Sequence, residues 1–141
     1  MIKKKKLLVI FVLLIAFFIT GCTAPSTYTG SDEAKIESVI KQFFSALEYQ
    51  NWSKAKSCCV YGSDAYETIC EFENDVNYLE TICGSVKINT YVNVDNISIS
   101  GNYAYVICDA SLSISACGVT ENNSEYGYLE LNKIGNSWKL F

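Results

Sequence analysis

The sequence predicts an α+β domain: N-terminal helices packed on a curved, mostly four-stranded antiparallel sheet, preceded by a signal peptide. Three observations carry this. Apolar residues recur at helical spacing from Asp32 to Cys83, and they alternate with polar ones from Val86 onward. The two patterns are also segregated along the chain, not interleaved as parallel β-α-β units would require.

The first helix is the clearest element. Ile36, Val39, Ile40, Phe43, Phe44 and Leu47 form one continuous stripe. Ser31 or Asp32 can cap it, with Glu33 and Glu37 near its positive end. Asn51 caps a short second helix through Trp52, Ala55 and Cys59, and Tyr61 to Asp64 is a turn. A third helix runs from Asp64 to Cys83 with Ala65, Ile69, Phe72, Val76, Leu79 and Ile82 inward. Gly84 supplies its left-handed stop.

In the sheet, Val86, Ile88, Val92 and Val94 share one face of the first strand. The apolar parity then slips to Ile97 and Ile99, which places a bulge at Asp95-Asn96. Ser100-Gly101-Asn102 turns into a strand over Tyr103 to Ser115, whose apolar face is Val106, Cys108, Ala110, Leu112 and Ile114. Gly118 to Ser124 reads as a polar loop. Glu125 to Lys133 and Ser137 to Phe141 then form a last hairpin around Gly135-Asn136.

Ahead of this domain, Lys3 to Lys6 is a charged block and Leu7 to Ile19 an apolar run too short to span a bilayer. Ile19-Thr20-Gly21-Cys22 resembles the bacterial lipobox. That resemblance implies a diacylglyceryl group on the thiol of Cys22 and cleavage just before it. Residues 1–21 are thus read as a lipoprotein signal peptide, 22–31 as the lipidated cysteine with a small, polar, flexible tether, and 32–141 as one domain. The expected location is the extracytoplasmic face of a bacterial membrane, held there by lipid on Cys22.

The 141 residues contain 11 lysines, 15 acids, no arginine and no histidine. Removing the first 21 leaves seven lysines against 15 acids, a charge of −8. This balance excludes nucleic acid as a partner, because phosphate contacts need clustered cations. It also removes the usual acid–base group, the commonest metal ligand and the bidentate clamp for phosphate. No cofactor and no metal is expected.

Three motifs in order resemble the NTF2-like (cystatin-like) α+β cone superfamily, especially its small bacterial lipoprotein members. They are Ala46-Leu-Glu-Tyr-Gln-Asn-Trp52-Ser-Lys-Ala55, Ile97-Ser-Ile-Ser-Gly101-Asn102-Tyr-Ala104-Tyr-Val106, and Leu131-Asn-Lys-Ile-Gly135-Asn-Ser-Trp138-Lys-Leu140. The resemblance covers residues 32–141. It implies a curved sheet wrapped around the first helix, leaving a conical pocket, for which Phe43, Phe44, Trp52, Val106 and Leu112 are the candidate lining. Relatives in this superfamily include isomerases and dehydratases, but fold does not transfer function. Asp109 is the best carboxylate for such chemistry. Its parity sets it opposite the apolar face, so a cone lined by that face leaves Asp109 pointing outward, out of reach of a substrate.

Trp52 and Trp138 are read as core, one at the corner of the first two helices and the other on the last strand. Tyr91, Tyr103, Tyr105, Tyr126 and Tyr128 lie opposite the main apolar positions, either as cross-strand pairs or as a partner surface. Cys58, Cys59, Cys70, Cys83, Cys108 and Cys117 are an even number in an exported domain, which favours disulfides; free buried thiols are the alternative. Cys70 and Cys83 lie ~20 Å apart on one helix and cannot pair, and Cys108 and Cys117 are separated along a strand. Bridges must then join the second helix to the third, or helix to sheet.

The functional expectation is a non-catalytic, membrane-anchored lipoprotein whose domain binds a small apolar ligand or an envelope protein. The alternatives are a cone enzyme of isomerase or lyase type using Asp109 with a tyrosine, and a purely structural envelope lipoprotein.

Overall fold

The structure is a computed structural model that describes residues 30–141, with side chains from Asp32 onward. The signal peptide, Cys22 and the tether lie outside the described residues. Helix α1 (Gly30–Glu48) begins two residues earlier than expected and buries Ile36, Ile40, Phe43, Phe44 and Leu47 of its stripe, while Val39 is only partly buried. Helix α2 (Trp52–Ser57) starts at Asn51, whose side chain accepts from the Lys54 N–H at 3.1 Å. Helix α3 (Asp64–Cys83) is capped by Ser63, whose hydroxyl accepts from the Tyr66 N–H, and it stops at Gly84 with φ +80°.

Ile82 departs from the expectation. It is 47% exposed, whereas Ala65, Ile69, Phe72, Val76 and Leu79 are buried. Cys83, not Ile82, is drawn to the sheet by a disulfide, and a neighbouring helical position is turned about 100° away.

Strands β1 (Val86–Ser100), β2 (Tyr103–Ala116), β3 (Val119–Ile134) and β4 (Ser137–Leu140) form one antiparallel meander in the order β1-β2-β3-β4. The bulge is where the parity slip put it. Val94 pairs with Cys108 and Asn96 with Ile107, leaving Asp95 as the extra residue. The expected loop over Gly118 to Ser124 is instead strand. Cys117 (φ +50°) and Gly118 (φ +74°) make a tight turn, and Val119 to Ser124 pair with Ala116 to Ser111. Backbone pairing has overridden a polar composition that reads as loop, because β-propensity is a weak local preference.

The sheet curls around α1, which packs against both its edge strands, β1 and β4. At one end the single proton of the Thr90 hydroxyl is shared between Phe44 O (3.1 Å) and Glu48 Oε2 (3.0 Å). At the other, Lys133 Nζ donates to Asp32 Oδ2 at 2.8 Å. Residues 58–60 extend the sheet beyond β4: the Val60 N–H donates to Leu140 O (2.7 Å), and the Leu140 N–H donates to Cys58 O (2.8 Å). All three helices thus lie on the concave side. Trp138 is buried as expected, whereas Trp52 is half-buried with its edge on Phe72 of α3 (5.5 Å), joining α2 to α3.

Candidate functional site

The two faces of the sheet follow from β2. Ala104, Val106, Cys108, Ala110, Leu112, Ile114 and Ala116 face the helices and are buried. The residues between them face solvent, and the uncovered outer side carries five of the ten tyrosines.

Of the five residues expected to line the cone, Phe43, Phe44, Val106 and Leu112 are buried in a single core cluster, with Trp52 packed at its margin. The two phenyl rings meet edge to face at 5.5 Å. These side chains are spent on packing. Two grooves instead flank the outer side of α1. One, of about 750 Å³, is lined by residues including Glu37, Lys41, Tyr49 and Lys54. The other, of about 440 Å³, runs between α1 and the β3–β4 turn.

Asp109 points outward between Asn93 and Tyr126, as its parity requires. The carboxylates on the concave side are others. Glu125 faces inward opposite Ala110, and Glu33 lies on the inward side of α1. Each has one oxygen fully buried with no hydrogen-bond partner among the described residues. Sequence reasoning passed over Glu125 although its signal was present: counting back by two from Leu131 and Leu129 reaches Gly127, Glu125, Asn123 and Glu121.

On the outer face, Tyr91, Tyr103, Tyr105 and Tyr126 are exposed, Tyr126 at 70%. Tyr105 and Tyr128 meet edge to face at 6.2 Å. Desolvation, with the carboxylate of Glu130 nearby, pushes the Tyr128 hydroxyl above its usual range, so it remains a protonated donor. Asparagine, serine and carboxylate side chains separate the rings.

One disulfide joins Cys83 at the end of α3 to Cys117 in the β2–β3 turn, with Cα atoms 4.9 Å apart. It is a helix-to-sheet bridge, as the pairing geometry required. Cys58, Cys59, Cys70 and Cys108 are free thiols, contrary to the favoured reading of disulfides, and Cys58, Cys59 and Cys108 are buried, as the alternative of free buried thiols has it. Burial pushes Cys59 up to about 12 and Cys108 to about 11, so both stay protonated at neutral pH. No group of three or more His, Cys, Asp or Glu residues that could hold a metal occurs among the described residues. The Lys133 ammonium holds the Asp32 carboxyl below its ordinary range and also lies 5.5 Å from the Trp138 ring centroid.

A curled four-stranded antiparallel sheet wrapped around one helix and covered by two more is the NTF2-like α+β cone. Solved structures show the same architecture at low identity. One is a conserved protein from Planctomyces limnophilus DSM 3776, with TM-score 0.65 and 14% identity, covering 79% of this chain and 92% of that one. Another is a ketosteroid isomerase-like protein from Erwinia carotovora atroseptica SCRI1043, with TM-score 0.58 and 13% identity over 79% and 92%. A third is a dehydratase candidate from the NTF2-like family of Streptomyces avermitilis, with TM-score 0.59 and 13% identity over 79% and 93%. At these identities the likeness defines the fold alone. No protein-family model and no curated protein sequence matches the chain.

Proposed function

We propose that this protein is an exported, lipid-anchored NTF2-like domain without catalytic activity. In this reading the tyrosine-bearing outer face of its sheet binds a protein partner in the cell envelope. The observation that carries it is the contrast between the two faces of β2. The concave residues nominated for a pocket are packed as core, while the opposite face leaves its tyrosines uncovered. Tyrosine suits a partner surface because one ring edge is apolar and the hydroxyl stays wet. The lipobox-like segment supports the anchor, and the Cys83–Cys117 disulfide suits an oxidising compartment.

A photo-crosslinking amino acid placed at Tyr126, with the still more exposed Tyr61 on the α2–α3 connection as a control, tests this in the native host. A discrete adduct from position 126 and not from 61 is expected. Equal, diffuse labelling from both positions sinks the proposal.

One observation favours a second reading, a cone-pocket isomerase or lyase. Glu125 places an unpartnered buried carboxylate oxygen on the concave face. On this reading Glu125, not Asp109, is the base. Native mass spectrometry of the purified domain would then show a bound small molecule that Glu125→Gln loses.

A further inference from the structure

The charges of this domain are sorted by surface. Helix α3 carries Asp64, Glu67, Glu71, Glu73, Asp75 and Glu80 and no lysine. The outer side of α1 is the opposite case. Lys35, Lys41 and Lys54 line its two grooves. The acids they meet are few: Lys41 bonds Glu37 at 2.6 Å, and Lys35 lies 3.6 Å from Asp32, which is already bonded by Lys133. Four lysines against two carboxylates leave this surface net positive, in a domain whose residues 32–141 sum to −8.

The placement of this surface relative to the chain start gives it an occupant. Only eight positions separate Cys22 from Gly30, the first residue of α1. Fully extended, they reach at most about 29 Å at ~3.6 Å per residue. A lipid on Cys22 therefore keeps the start of α1 within that distance of the headgroups. Ala34, Ser38 and Ser45 are short and exposed there, which leaves the grooves shallow enough to meet a flat surface. Tyr49, 78% exposed at the far end of the same groove, has the amphipathic ring favoured at membrane interfaces.

We propose that the outer face of α1 docks on the anionic headgroups of the bilayer that anchors the protein, with acidic α3 turned away. The occupant follows from charge complementarity. Lysines pair with lipid phosphate, and contact through α3 would set its carboxylates against a negative leaflet. The inference rests on lipid anchoring at Cys22 and adds to it a fixed orientation.

The test uses the full chain purified from a bacterial host and reconstituted into phosphatidylcholine vesicles with or without phosphatidylglycerol. A short pulse of an acetylating ester, read peptide by peptide in the mass spectrometer, reports the accessibility of each lysine. Lys35, Lys41 and Lys54 are expected to label several-fold more slowly when phosphatidylglycerol is present, while Lys87 and Lys139 do not change. Added salt is expected to restore the labelling, because these contacts are screened. Equal labelling in both vesicle types, on protein whose Cys22 peptide carries the diacylglyceryl mass, overturns the orientation and leaves the anchor standing. A Cys22 peptide without that mass overturns both.

Discussion

Strand β2 faces two environments from one backbone, and the two sides obey different rules. On the concave side Val106, Cys108, Leu112 and Ile114 are shut away beneath the helices. One position along, Tyr105, Ile107, Asp109 and Ser111 meet solvent or are only half-covered. Stability resides in the first set and recognition is free to reside in the second. Nothing about the strand itself distinguishes them except parity.

Substitutions that strike one side only break or sharpen this contrast. The largest effect is expected from Phe43→Ala, which opens a hole under the sheet and lowers the free energy of unfolding by about 3–5 kcal/mol in urea titrations. Next, reducing the Cys83–Cys117 bridge releases a loop with a sequence separation of 34, a loss of about 4 kcal/mol visible as a lower thermal midpoint with dithiothreitol. Asn51→Ala removes the α2 cap and costs about 1 kcal/mol by chemical denaturation.

Asp32→Asn has a smaller, pH-dependent effect. The folded carboxyl titrates below its unfolded value, so its contribution is present above the unfolded pKa of ~3.9 and disappears as pH falls through the folded pKa. Melting curves of wild type and variant should differ at neutral pH and converge in acid. Smallest of all, Tyr126→Ser on the outer face should leave the melting curve within about 0.5 kcal/mol of wild type. A large loss there would mean that the tyrosines support the fold, and the contrast between the faces would fail.

Features set by a few adjacent residues were legible before any coordinates. Asn51 and Gly84 mark helix ends through their own side-chain chemistry, and the slip from Val94 to Ile97 marks a bulge because inward and outward positions must alternate. The start of β3 was not legible. Thr120 to Ser124 is polar throughout, and only its pairing partners on β2 make it strand. The cysteine pairing was hidden for a related reason, since it depends on where α3 ends relative to a turn whose position had been misplaced. Glu125 is a different kind of miss. Its inward parity was countable from Leu129, but an isolated glutamate next to a presumed loop gave no reason to count. The outward position of Asp109 was readable, because the apolar residues on both sides of it declare the face.

The contact between Asp32 and Lys133 spans 101 positions. Helix α1 is sealed partly by β4, so a chain delivered from its N-terminus leaves part of its apolar stripe uncovered until β4 arrives. Closure of such a distant contact is slow and comes late. For the exported chain proposed above, this ordering has a use. Until its final strand arrives the core is incomplete, and a less stable chain is more easily drawn through a narrow pore.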